Sequence, residues 1–205
     1  IHIKLKIPTM IVSLAFLNIL YGLAAIISGG FPVASLPAWY NIIGAGSTLN
    51  IPNPAIILVV VLIAALVIMK YTKIGREMYA VGGNVQAAKL SGINVTKVIV
   101  VSLVAVQVLT VLSGIMVSSQ VMAASSTFGK GYELSVIAAT IIGGVSLSGG
   151  RGTPWGTFIG VIFFGVIANG MTLLNVNEFV QYVIKGLLII AAVALNNLFS
   201  EKKAR

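Results

Sequence analysis

Hydrophobic residues fall into six runs, and the polar stretches between them differ in character. The first run, Thr9 to Ser28, sits behind Lys4, Lys6 and Pro8 and offers about twenty apolar positions, enough for roughly 30 Å of helix. Gly29 to Pro54 carries no charge and is rich in glycine, proline, serine and asparagine. Pro32, Pro37, Pro52 and Pro54 prevent long helix there, and Trp39 and Tyr40 are placed to lie at a membrane interface, so the segment reads as an external loop. A second span is predicted from Ala55 to Met69, short enough to borrow Ile51 or to tilt little, and a third from Val98 to about Val117, interrupted by Gln107 and Ser113. After the small residues of Ser118 to Tyr132, where Lys130 and Glu133 roughly balance, a fourth run from Leu134 to Leu147 is only about fourteen residues long and is weakened by Gly143 and Gly144. It either crosses as a short helix or enters the bilayer and breaks at the glycines, and backbone breaks at that depth only when buried in protein or lining a wet cavity. Pro154 suits the first turn of a fifth span, Trp155 to about Leu174; Asn175, Asn177 and Glu178 form a short external connection; a sixth span continues to about Leu198. The predicted architecture is an all-α integral membrane protein, one domain over residues 1–205 with about six transmembrane helices, one of them short or broken.

The long polar segment, Lys70 to Lys97, carries Lys70, Lys73, Arg76, Lys89 and Lys97 against a single acid, Glu77. Positive charge close to the ends of apolar spans marks a loop kept in the cytoplasm. Within it Asn84 is suited to cap a helix of about two turns, Val85 to Leu90, which Gly92 closes in a left-handed conformation. Gly82 and Gly83 are expected to free that helix from the segment before it. The predicted product is a small amphipathic rod at the membrane surface, with Ala87 and Ala88 forming a face flat enough for another protein to approach closely.

Composition makes lipid the solvent: the chain is 58% hydrophobic and 8% charged, with a mean hydropathy of +1.07, more apolar surface than a soluble domain buries. The net charge of +9 reads as orientation in an anionic bilayer rather than as nucleic-acid binding, because the basic residues flank apolar spans without interleaved surface aromatics. Six crossings put Lys4, Lys6, Lys70, Lys73, Arg76, Lys89, Lys97, Arg151, Lys202, Lys203 and Arg205 on one side, leaving Lys130 outside and Lys185 within the sixth span, where snorkelling to the outer interface explains it. A re-entrant fourth run would destroy that agreement, so the crossing is preferred, with the C-terminus cytoplasmic. Cysteine is absent, which excludes disulfides and thiolate metal sites, and His2 has no partner for chemistry. The start at Ile1, almost directly before an apolar span, reads as a fragment lacking earlier spans; no small-residue cleavage site marks a secretory signal.

Candidate chemistry is narrowed by what is missing. The glycine-rich stretch Gly143 to Gly156 lacks the lysine and hydroxyl of an ATP-binding loop, and no strand precedes it as a dinucleotide site requires; Gly129-Lys130-Gly131 fails equally. Gly152, Gly156 and Gly160 stand four apart, a spacing suited to close helix contact. There is no aspartate, and Glu77, Glu133, Glu178 and Glu201 all fall in loops or at span edges, so no mid-membrane carboxylate exists for proton or sodium coupling. The same poverty of acids, histidine and cysteine argues against a membrane enzyme. Asn18, Gln107, Thr140 and Asn169 are uncharged donors and acceptors within spans, able to line a path for a polar solute or to bond neighbouring helices as structural glue. Asn94-Val95-Thr96 would accept a glycan only on an external face, and this one is predicted internal.

Three motifs in order carry a resemblance: GREMYAVGGN and AAKLSGIN between Gly75 and Asn94, IGGVSLSGGRG from Ile142 to Gly152, and ANGM from Ala168 to Met171. Over most of its length the chain resembles the membrane permease of bacterial ABC-type sugar importers, in the branch handling ribose, xylose, galactose and related molecules. The resemblance implies that the 70–97 loop holds a coupling helix seated in a groove of a cytoplasmic ATPase, with Gly75, Arg76, Gly82, Gly83, Asn84, Ala87, Ala88, Ser91 and Gly92 at the coupling surface. It also favours a gate or pore-wall role for Gly143, Gly144, Ser146, Gly149 and Gly150, over packing alone. Implied partners are that ATPase, carrying ATP and magnesium that this chain does not hold, a second permease subunit and an external sugar-binding protein, in a bacterial plasma membrane. An ion-gradient carrier, a scaffold without a pathway and a permease for branched-chain amino acids are the rival readings.

Overall fold

The computed structural model describes Ile7, residues 9–146 and residues 148–202. His2, Lys4, Lys6, Pro8, Leu147, Lys203 and Arg205, on which several of the expectations above fall, lie outside the described residues. Nine α-helices are described: α1 Thr9–Ile27, α2 Asn41–Gly44, α3 Asn53–Tyr71, α4 Lys73–Gly83, α5 Val85–Leu90, α6 Val95–Val121, α7 Tyr132–Ile142, α8 Pro154–Leu173 and α9 Glu178–Lys202. Helices α3, α6 and α8 are long and apolar enough to cross a bilayer, and shorter apolar stretches lie in α1, α7 and α9, so each predicted run has its helix. The chain is an all-α membrane protein whose backbone forms two compact units, Ile1–Val59 with Ile99–Lys130 and Val60–Val98 with Gly131–Arg205.

In the first unit the uncharged loop is more ordered than its composition predicts. Two-residue strands β1 (Val33–Ala34) and β4 (Ala123–Ala124) pair antiparallel, as do β2 (Ser47–Thr48) and β3 (Ile51–Pro52). Leu49 and Asn50, both at positive φ, make the two-residue turn between β2 and β3. Ser119 is fully buried; its Oγ accepts from Gly44 N at 2.7 Å and donates to Tyr40 O, while the Tyr40 hydroxyl donates to Ile115 O at 3.3 Å. The loop is thereby pinned along the last turns of α6. Ile51 belongs to this hairpin and is not borrowed by the second span. That span gains its length from Asn53, whose side chain donates to Ile42 O at 2.6 Å, and from Lys70 and Tyr71. Helix α6 also starts earlier than predicted, because Asn94 Oδ1 accepts from Lys97 N at 3.0 Å, and its 27 residues reach about 40 Å.

In the second unit α7 is the short span. Its 11 residues give about 16 Å of helix, half of a bilayer, before Gly143 ends it and Gly144 turns away at φ +83°. One face of the broken span is packed against protein, while Ile142 and Gly144 at its end are exposed. Ala138, Ala139 and Ile141 are buried; Ala138 and Ala139 form a cluster with Phe164 of α8, against which Leu188 and Ile189 of α9 pack. Helices α7 and α8 run antiparallel through glycine: a Cβ at Gly156 would overlap Gly143 O, and one at Gly160 would overlap Ala139 O. Gly152 does not share that face. It precedes the Thr153 cap at φ +141° and lies against Val145.

Candidate functional site

Two helices, rather than one helix in an open loop, occupy the basic segment. Thr72 Oγ1 donates to Ile68 O at 2.7 Å and accepts from Gly75 N at 3.2 Å, closing α3 and starting α4. Gly75 is buried there, where any Cβ would overlap Ile68 O. Gly82 and Gly83 do not break the chain as expected; both are helical, and the break falls at Asn84, in extended conformation at φ −156°. Asn84 caps α5 as predicted, accepting from Gln86 N and Ala87 N at 3.0 Å each, and Gly92 closes it at φ +78°, with Ile93 N donating to Ala88 O at 3.0 Å. The predicted alanine face divides. Ala88, 3% exposed, packs inward on Val81 and Val98, because a six-residue helix turns adjacent positions about 100° apart; Ala87 stays exposed. The outward surface is Val85, Gln86, Ala87, Lys89 and Leu90, with Ser91 and Arg76 also exposed. Replacing Asn84 by alanine should cost α5 about 1 kcal/mol, raising amide exchange at Gln86 to Leu90 about fivefold; unchanged exchange would show that tertiary packing alone holds the helix.

The turn after the broken span meets α4 backbone to backbone. A Cβ at Gly82 would stand 2.6 Å from Gly150 N, and one at Gly149 would stand 2.8 Å from Gly82 O. The Tyr79 hydroxyl donates to Gly152 O at 2.7 Å, and Ser146 N donates to Arg151 O at 3.0 Å, closing the turn on itself. Between α4, the turn and the start of α8 lies a cavity of about 280 Å³, lined in part by Met78, Tyr79, Ser146, Arg151, Thr153 and Thr157. Its hydroxyls are engaged: Ser146 Oγ accepts from Ser148 N, Thr153 Oγ1 caps α8 at Gly156 N, and Thr157 Oγ1 donates to Thr153 O. Arg151 is exposed at the rim. The turn that carries Arg151 therefore lies directly against α4 of the Lys70 to Lys97 segment. On α4 itself Lys73 Nζ lies 3.7 Å from Glu77 Oε1, with the lysine exposed and the glutamate partly buried, and screening at the lysine keeps the contribution small.

Of the predicted gate residues, Gly149, Gly150 and Ser146 are gathered at this turn, and Gly143 and Gly144 form the break in α7. Asn18 and Gln107 belong to the first unit, Thr140 and Asn169 to the second. Asn18 Nδ2 donates to Leu14 O at 3.0 Å and Thr140 Oγ1 to Ile137 O at 2.7 Å, bonds each makes to its own helix; Gln107 and Asn169 are exposed. Tyr79 and Thr153 were not singled out by the sequence. Thr153 before Pro154 is a legible helix start, whereas the Tyr79 bond spans 73 positions and leaves no local signal.

A family model described as "Branched-chain amino acid transport system / permease component" matches residues 1–193. The ribose import permease protein RbsC of Bacillus subtilis (strain 168) is 41% identical over 195 residues, 94% of this chain and 61% of that protein. Its counterpart in Escherichia coli (strain K12) is 36% identical over 201 residues, 95% and 62% of the two chains. The L-arabinose transport system permease protein AraH of Escherichia coli (strain K12) is 35% identical over 202 residues, 98% and 61%. The chain therefore spans about three-fifths of the length of these relatives. No solved structure matches.

Proposed function

This chain belongs to the branched-chain amino acid transport system / permease component family, and from that premise we propose that it is the pore-forming part of an ABC importer that passes a monosaccharide across the bacterial inner membrane. A separate cytoplasmic ATPase binds ATP and magnesium and drives it; the chain itself catalyses nothing. An external binding protein delivers the sugar, and two permease subunits form one pathway. The C-terminus lies in the cytoplasm with the Lys70 to Lys97 segment.

The observation that carries this reading is α5: a capped helix whose inner side is fixed by Ala88, and whose outer side, ending in Leu90 at 90% exposure, is left apolar beside lysine. Such a surface serves docking. The names of the relatives, ribose and L-arabinose permeases, favour a pentose over a branched-chain amino acid as cargo. The absence of aspartate from the sequence, with all four glutamates outside span interiors, speaks against an ion-driven carrier.

The test is reconstitution of the full-length permease with its ATP-binding and sugar-binding partners in vesicles. Uptake of labelled ribose or arabinose should require ATP and persist when ion gradients are collapsed. Uptake that dies with the gradient would make it a secondary carrier, and ATP-driven uptake of leucine instead of a pentose would move it to the amino acid branch.

A further inference from the structure

We propose that the seam between α4 and the turn residues Gly149 to Gly152 is the element that transmits movement of α5 to the broken span, and that Tyr79 is its positioning residue. The inference rests on the importer reading above and adds to it the route by which force leaves the docking helix.

Three features of the seam support it. Its contact is glycine on glycine: Gly82 and Gly83 face Gly149 and Gly150, with no side chain between them to absorb a displacement by changing rotamer. Its turn is closed on itself by the Ser146–Arg151 backbone bond, and Gly149, Gly150 and Gly152 hold φ values of +86°, +71° and +141° that a side chain would strain. Its two ends lead to the right places. Upstream, Val81 of α4 shares a buried cluster with Ala88 of α5, so the two loop helices move together. Downstream, Gly152 leads directly into the Thr153 cap of α8, while Val145, against which Gly152 presses, follows the break that ends α7. Tyr79 stands one helical turn before Gly82, and its hydroxyl bond to Gly152 O fixes the far end of the turn to α4 at 2.7 Å. A push on α5 therefore arrives at the end of α7 and the start of α8 together.

The measurement is the number of sugar molecules moved per ATP hydrolysed by the full-length complex in vesicles. Tyr79→Phe keeps the ring and removes the bond to Gly152. The ATPase should still copurify and hydrolyse ATP at the wild-type rate, while sugar per ATP falls about two- to tenfold, the factor that one net hydrogen bond supports. Gly150→Ala, which puts a Cβ 2.6 Å from Gly83 N at a positive φ, should lower the ratio further. Should Gly150→Ala fail to accumulate, Tyr79→Phe decides alone. An unchanged ratio in Tyr79→Phe, or hydrolysis and uptake falling in parallel, would overturn the proposal. Failure of the importer reading looks different, since the wild-type complex would then show no ATP-driven uptake.

Discussion

Replacing Gly160 by leucine should lower the thermal stability of the detergent-purified protein by several degrees and cut its accumulation in the membrane, while the same change at Gly165, five residues along the same helix, should do neither. Both positions are glycine in the interior of α8, so helix propensity favours leucine at each by roughly 1 kcal/mol. The environments differ. Gly160 is buried with Ala139 O where its Cβ would be, whereas nothing lies within 4 Å of a Cβ at Gly165. At Gly160 the added atoms meet backbone, which cannot rotate away, and α7 would have to leave α8. Overpacking of this kind costs about 1–3 kcal/mol in ordinary cores and more where backbone must move. By the size scaling of soluble domains, 3 kcal/mol corresponds to a Tm loss of about 6–12 °C. Lipid supplies no hydrophobic force to restore the contact, since α7 leaving α8 exchanges one apolar neighbour for another. Equal Tm values for the two variants would show that the glycine seam is not what holds the broken span.

The spans were legible because each reports on itself. A run of apolar residues, a flanking charge, and a cap such as Asn84 before Val85 or Thr153 before Pro154 are all written within a few positions, and the six apolar helices follow from them. The ends were less so. Asn53 and Asn94 lengthen α3 and α6 through side-chain bonds that a hydropathy pattern does not register. Helix α4 was missed because Gly82 and Gly83 read as a flexible join, yet both meet Gly149 and Gly150 backbone to backbone. The split of Ala87 from Ala88 depends on Val81 and Val98 arriving on one side, and the Tyr79–Gly152 bond on a partner 73 positions away. The motif glycines were thus recognisable as a set from the sequence, while their role as a backbone seam required the fold.

Leu90→Asp should weaken association with the ATP-binding subunit proposed above about a hundredfold or more while leaving the permease folded. Leu90 is 90% exposed at the end of α5, so its replacement disturbs no internal packing and should change stability by no more than about 0.5 kcal/mol. Docked against a partner it would bury a full leucine side chain, a contribution of about 2–3 kcal/mol. Aspartate forfeits that and adds the cost of desolvating a carboxylate with Lys89 the only adjacent cation, so a total near or above 3 kcal/mol, more than a hundredfold in affinity, is expected. Leu49→Asp is the matched control. Leu49 is also 90% exposed, but it sits in the turn of the β2–β3 hairpin, where a positive φ suits aspartate. Titrating the purified ATP-binding subunit against both full-length variants separates the cases: loss with Leu90→Asp alone places the partner on α5, whereas equal affinity for the two would remove α5 from the interface and leave the basic segment as a connection that only sets topology.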